Sequence, residues 1–306
     1  MLRAAFIALS ENRSLRHLAE SSSIGHRVSD RFVAGTTVAD ALRATEETNA
    51  LGMSVSIDNL GENVTNADEA QQSAKLYHEL LDQITERRLD ANVSLKLTHM
   101  GFDVDQRLAT DIVSGLVEHA RQKQNFVRVD MEGSPYTQRT LDLVQNVHSQ
   151  NGNHGSVGAV IQAYLRRSED DIRNLTAQGI RIRLCKGAYK EPAEIAFPDK
   201  RDVDANYVKL MKILLKSGTY HGIATHDEKM IEATIQFAHA EKISASAFEF
   251  QMLYGIRRDL QRQLVKQGWR MRVYIPFGTE WYPYFMRRLA ERPANALFVA
   301  RNLLRK

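Results

Sequence analysis

Six ionisable residues recur at comparable places in short apolar–polar runs. They are Asp58 in MSVSIDN, Lys96 in NVSLKLT, Arg128 and Asp130 in FVRVDME, Arg183 in RIRLC and Glu249 in AFEFQML. Each run alternates with a period of two, the pattern of a strand with one apolar face. Val55 and Ile57 oppose Ser54, Ser56 and Asp58; Val93, Leu95 and Leu97 oppose Ser94, Lys96 and Thr98; Ile182 and Leu184 oppose Arg183. Val273 and Ile275 oppose Tyr274 in MRVYIPF in the same way. Guanidinium and carboxylate groups on a covered strand face cost several kcal/mol each unless they are paired. Such a set suits either an ion network that satisfies itself or a site that binds a polar ligand. The second is favoured because these residues fall at the C-terminal ends of their strands, where barrel enzymes carry their chemistry.

Further candidates stand just after the strands. Lys186-Gly187-Ala188 follows RIRLC, and glycine lets backbone approach a ligand while lysine can meet a phosphate. The following KEPAEIAFPDKRD is long enough for a loop over a site or for a plain connector. Thr225-His226 closes GIATH. Arg287 and Arg288 lie in the helical stretch GTEWYPYFMRRLAERPAN. They serve equally as a solvated face paired with Glu291 or as two forks for a carboxylate. There is no G-x-S-x-G elbow, no phosphate loop of the G-x-x-x-x-G-K-[ST] type and no G-x-G-x-x-G between strand and helix. No His-x-His or strand-end set of His and carboxylates builds a metal site.

The elements that must hold these residues repeat. Eight strand-like runs alternate with helix-like stretches such as ADEAQQSAKLYHELLDQITERRL and DANYVKLMKILLKSG. Strands separated by helices predict a parallel sheet, and eight units predict a (β/α)8 barrel. A doubly wound sheet would make both strand faces apolar, which these are not. The reading is an α/β fold, a distorted TIM-type barrel over 46–306 behind an N-terminal helical arm over 1–45. The arm's MLRAAFIALSENRSLRHLAE reads as an amphipathic helix; it lacks the apolar core and cleavage site of a targeting peptide.

The 306 residues are 43% hydrophobic and 25% charged, with a net charge of +4 and the charges interspersed, which argues against a nucleic-acid face. One cysteine, Cys185, excludes an internal disulfide and fits a reducing compartment. No run approaches the roughly 20 apolar residues of a membrane span.

The ordered set VSLKLT, VRVDME, IRLCKGAYKEP, ATHD, FEFQMLYG and YFMRRLAE resembles the proline dehydrogenase family from about residue 31 to RRLAERPAN. The length fits the monofunctional bacterial form. The resemblance implies a barrel holding FAD non-covalently and oxidation of L-proline to Δ1-pyrroline-5-carboxylate, with hydride passing from proline C5 to flavin N5. Electrons then go to a membrane quinone, and a downstream pyrroline-5-carboxylate dehydrogenase consumes the product. With no amphipathic stretch clearly dedicated to lipid, the expectation is a cytoplasmic enzyme, at most loosely attached to the inner face of the membrane. By the same resemblance Lys96, Arg287 and Arg288 hold the substrate carboxylate, Asp130 orients the lysine, and Arg183 stands beside flavin N5. Met131, Gln162, Lys186, Gly187, Ala188, Thr225 and His226 match other FAD contacts. Tyr189, Leu253 and Tyr274 match the walls around the proline ring, tyrosine at 274 favouring proline over hydroxyproline. Glu62 matches a carboxylate that gates the site against the first arginine of the RR pair. Two rivals share the charged strand ends: a metal-dependent barrel lyase or hydrolase using His226, and a binding barrel without catalysis.

Overall fold

A computed structural model describes residues 31–61, 64–150 and 152–291, the last five as helix backbone only. Eight strands close in sequence order into a barrel: β1 (Ser54–Asn59), β2 (Ala91–Leu95), β3 (Val127–Val129), β4 (Val157–Gln162), β5 (Arg181–Cys185), β6 (His221–Ala224), β7 (Phe248–Leu253) and β8 (Met271–Phe277). Every neighbouring pair is parallel, and β8 closes on β1 with Ser56 opposite Tyr274. Helix α1 (Val38–Asn49) precedes β1, and the crossovers are α2 (Ala67–Glu86), α3 (Gln106–Gln122), α4 (Ser134–Ser149), α5 (Ser168–Ala177), α6 (Lys200–Lys216), α7 (Glu228–Ala240) and α8 (Arg258–Lys266). After β8 comes α9 (Trp281–Glu291).

Local chemistry sets the helix starts. Thr37 and Asp40 form a capping box on α1, and the Asn66 and Asp105 side chains cap α2 and α3. The outward strand face carries the core: Val55, Ile57, Val93, Leu95, Val127, Val129, Ile182, Leu184, Phe250 and Ile275 are all fully buried against the helix ring. Each such side chain contributes about 1.5–3 kcal/mol. That apolar shell offsets the cost of a polar barrel interior.

Two strands are shorter than the alternation suggested. β2 ends at Leu95 and β3 at Val129, so Lys96 and Asp130 stand one residue past the ladder. A 3-10 turn at Thr98–Met100 bends the chain away after β2, and Pro135 starts α4 soon after β3. Both turns lift their charged residues to the C-terminal mouth. The boundary expected after residue 45 falls inside α1, whose Ala41, Leu42 and Ala44 belong to the barrel's main hydrophobic core. Residues 1–30 lie outside the described residues.

A second apolar cluster sits beside that mouth. Phe32 and Val33 pack with Leu60, Ile256 and the α9 residues Trp281, Tyr282, Tyr284, Phe285 and Met286, and Leu253 joins it from β7. The Ala34 amide bonds the Pro276 carbonyl at 2.8 Å, tying this segment to β8. The cluster therefore anchors α9, and with it the backbone of Arg287 and Arg288, next to a residue that also lines the central cavity.

Candidate active site

The barrel interior is two connected charge networks, one above the other. The upper one is centred on Arg183, which is 7% exposed. Its Nη1 donates to Asp130 Oδ1 at 2.6 Å, its Nε to Gln251 Oε1 at 2.5 Å, and its Nη2 to the hydroxyls of Ser94 at 3.0 Å and Ser56 at 3.3 Å. Tyr274 donates its hydroxyl to Asp130 Oδ2 at 2.8 Å and presents its ring 5.2 Å from the Arg183 guanidinium. Five partners from five strands and strand ends thus fix one guanidinium in one orientation. Beside it Lys96 Nζ donates to Asp58 Oδ2 at 2.9 Å. Burial pushes the Asp58 carboxyl above its ordinary value, against the pull of Lys96 and with the repulsion of Asp130. The resemblance gave Asp130 the task of orienting Lys96. In the structure Lys96 donates to Asp58, and Asp130 accepts from Arg183 and Tyr274.

The lower network holds Arg128 and Glu249. Arg128 Nη1 donates to the carbonyls of Ala159 at 2.9 Å and Arg181 at 2.6 Å, and its guanidinium lies 4.6 Å from the Phe126 ring. Gly158 faces it; a Cβ there would collide with both Arg128 and the Arg181 carbonyl, so only glycine leaves room. Glu249 accepts from Arg272 Nε at 2.7 Å, Gln251 Nε2 at 2.6 Å and the Tyr220 hydroxyl at 2.9 Å. Burial would raise the Glu249 carboxyl, but the Arg272 charge and these donors hold it below its ordinary value. Gln251 joins the two levels. Because its amide nitrogen is committed to Glu249, its oxygen must face Arg183.

The upper network borders the cavity at the C-terminal mouth. A space of about 470 Å³ opens at the C-terminal mouth, within the size range of small-molecule sites. Lys96, Asp130, Arg183, Gln162 and Tyr274 line its polar side, and Met131, Val160, Met252 and Leu253 its apolar side. Lys186, Gly187, Ala188, Tyr189, Thr225 and His226 form the rim. All but Val160 and Met252, which the sequence reading did not single out, are sequence-predicted residues, and the structure brings them to one chamber. Glu62 and the side chains of Arg287 and Arg288 lie outside the described residues.

The rim is braced. Gly187 adopts φ +112° with its backbone against the Tyr164 ring, a conformation and an approach that a side chain would forbid. Lys186 Nζ bonds Asp204 and Asp227, the latter at 2.7 Å. Glu191 accepts from the Ser134 amide at 2.7 Å and the Ser134 hydroxyl at 2.5 Å, pinning the loop after β5 to the start of α4. The segment is therefore cavity wall at its start and a latched connector beyond. His226 Nε2 accepts the Leu253 amide at 2.9 Å, which places a neutral ring's proton on Nδ1. Cys185 also lines the cavity, its thiol pushed up to about 12 by burial and so kept protonated.

Sequence reading missed three contributors: Asp58 as the partner of Lys96, Gln251 as the link between levels, and Asp227 under Lys186. The alternation in FEFQML already put Gln251 on the face of Glu249, so that signal was available. Among the described residues no group of three or more His, Cys, Asp or Glu is arranged to hold a metal, and no helix is long and apolar enough to cross a membrane.

A parallel eight-stranded barrel with a charged chamber at its C-terminal mouth defines a barrel enzyme for a small polar substrate. The family model described as proline dehydrogenase matches residues 41–301, and the chain belongs to that family. It is 42% identical over 308 residues to proline dehydrogenase 1 of Bacillus subtilis subsp. natto, covering 100% of both chains. It is 37% identical to the proline dehydrogenase of Deinococcus radiodurans, covering 100% of this chain and 98% of that one. Among solved structures it resembles proline utilization A from Bdellovibrio bacteriovorus inactivated by N-propargylglycine, with a TM-score of 0.83 and 26% identity over 95% of this chain and 36% of that chain. The chain is an oxidoreductase that oxidises proline in proline catabolism.

Proposed function

We propose that the chamber holds FAD together with L-proline, that proline is oxidised there to Δ1-pyrroline-5-carboxylate, and that a quinone is the final acceptor. The observation that carries this is the placement of Arg183, Asp130, Tyr274 and Lys96 together on the polar wall of the one chamber whose other walls are apolar. A flat, partly polar ring system fits such walls. Met131, Val160 and Leu253 offer apolar faces, Gln162 and Arg183 offer N–H groups at the ring edge, and Lys186 with the Gly187–Ala188 backbone borders the space for a phosphate-bearing tail. When bound, the flavin supplies a two-electron acceptor for the hydride of proline C5.

The chain's own residues do the positioning. Asp58, Lys96, Asp130 and Arg183 sum to zero charge, so a substrate carboxylate adds one uncompensated negative charge. Arg287 and Arg288, which the family resemblance assigns to the substrate carboxylate, would clamp it together with Lys96. Tyr274, Leu253 and Tyr189 border the ring and limit its tilt. Arg183, held by Asp130, Gln251, Ser94 and Ser56, provides a fixed positive charge where electron density arrives, with no reorganisation at the moment of transfer. Proline enters with a neutral amine, so loss of hydride leaves the protonated imine directly and no strong general base is needed. Glu62 would close against Arg287 and exclude water.

The test is an absorbance spectrum of the purified protein, recorded before and after L-proline is added without oxygen. A flavin spectrum that bleaches with proline supports the reading. A colourless protein, or a flavin that proline leaves oxidised, refutes it.

A further inference from the structure

The N-terminal mouth of the barrel carries a second cavity, of about 530 Å³, bordered by Arg88, Asn92, Asn125, Ser156, Arg181 and Arg272 among others. Its electrostatics are lopsided. Arg88, Arg128, Arg181 and Arg270 surround this end, and among the described residues none has a carboxylate within ion-pairing distance. Of the carboxylates nearby, Glu249 is neutralised by an ion pair and Asp90 keeps its charge, so the arginines still outnumber them. Glu249 is held by Arg272, Gln251 and Tyr220, and Asp90, on the cavity wall, accepts the Ser54 hydroxyl at 2.6 Å. Lys123, on the rim, is taken by Asp82 at 2.8 Å.

Arg181 is also preorganised. Its guanidinium lies 5.4 Å from the Phe126 ring and 5.8 Å from the Tyr220 ring, which hold the fork while leaving its N–H groups without an acidic partner. Asn92, on the same wall, has a buried side-chain oxygen with no hydrogen-bond partner. Its NH2 makes no hydrogen bond and is not buried, so it stands available as a donor at the cavity. An oxyanion on Arg181 would satisfy both groups and cancel part of the surplus charge.

We propose that this cavity is a binding site for a small organic oxyanion, a phosphate- or carboxylate-bearing metabolite, with Arg181 as its fork and Asn92 as a second donor. The site lies at the opposite end of the barrel from the oxidation chamber and does not depend on the reading of that chamber.

The experiment is calorimetric titration of the purified, flavin-loaded protein with inorganic phosphate and, separately, with succinate, at fixed ionic strength. The expected result is a saturable site weakened about tenfold or more by Arg181→Gln, the loss of a charge-assisted pair, and unchanged by Lys96→Met, separate from any carboxylate binding in the chamber that Lys96→Met removes. The tighter probe identifies the ligand class. Hydrogen exchange with the tighter probe locates the site without a mutation: slower exchange around residues 88–92 and 154–156, and none around 186–189, supports it. No saturation by either probe overturns the proposal. So does binding that survives Arg181→Gln and disappears with Lys96→Met, which would put the anion in the oxidation chamber.

Discussion

The two mouths of this barrel use the same residue types for different ends. At the C-terminal mouth Asp58, Lys96, Asp130 and Arg183 pair with one another and still border a chamber. Deeper in the barrel Glu249 and Arg272 pair, Arg128 spends its donors on carbonyls, and neither Glu249 nor Arg128 reaches that chamber. Pairing by itself therefore does not separate a site from scaffolding. What separates them is whether the paired groups border the chamber that also has an apolar wall.

If this division is right, the largest loss of activity should come from the upper level. Arg183→Met is expected to lower turnover by roughly 10²–10³-fold, the cost of removing one preorganised charge, and to shift the flavin midpoint potential downward. Steady-state kinetics and potentiometry check both, and an unchanged potential would remove Arg183 from the flavin's neighbourhood.

The lower level should fail differently. Glu249→Ala leaves Arg272 buried without its carboxylate, at a cost of about 3–5 kcal/mol. Thermal unfolding should show a fall of roughly 10 °C for a domain of this size, while KM for proline stays within a few-fold of the parent. A rise in KM as large as that from Lys96→Met would erase the distinction between the levels.

A milder probe uses pH. His221 is buried and accepts the Ile182 amide on Nδ1 at 3.0 Å, and its ring sits in the field of Arg128. Burial first, then the Arg128 charge, lower it from 6.5 to about 3. Between those values the unfolded chain binds the proton and the folded one does not. Stability is therefore full above about pH 6.5 and falls as pH drops through the window, by on the order of a few kcal/mol. Chemical denaturation from pH 7 to 5 should show this slope, and His221→Asn should reduce it, the remainder coming from buried His99, lowered to about 4.

The smallest effect is expected at the rim. Ser134→Ala removes the hydroxyl that bonds Glu191 but keeps the amide bond. KM should rise a few-fold with turnover little changed, since the loop loses one of two tethers.

Much of this was readable in the residue order. Alternation in SVSID, VSLKL and RIRLC put the apolar faces outward and the charges inward, and eight such runs gave the closed sheet. The alternation could not say which charges sit high and which sit low. That depends on register around a tilted barrel, where Gly222 stands opposite both Arg183 and Glu249. Partner choice was equally hidden. Lys96 reaches Asp58 across the β1–β2 pair, and nothing in either run specifies that over Asp130. Arg181, one alternation step before Arg183 on the same face, reads as a strand-start residue, and only the placed rings of Phe126 and Tyr220 show what holds it.

The central claim is that the upper charges serve the oxidation chamber and the Glu249–Arg272 pair serves the barrel. Titrating the flavin-loaded protein with a proline analogue that keeps the carboxylate but cannot be oxidised, and following the flavin absorbance, tests it most directly. Lys96→Met should weaken binding about tenfold or more, as loss of a charged hydrogen bond does, and Arg272→Met should leave the dissociation constant within a few-fold of the parent. Equal losses in the two variants, or a loss only in Arg272→Met, would contradict the account.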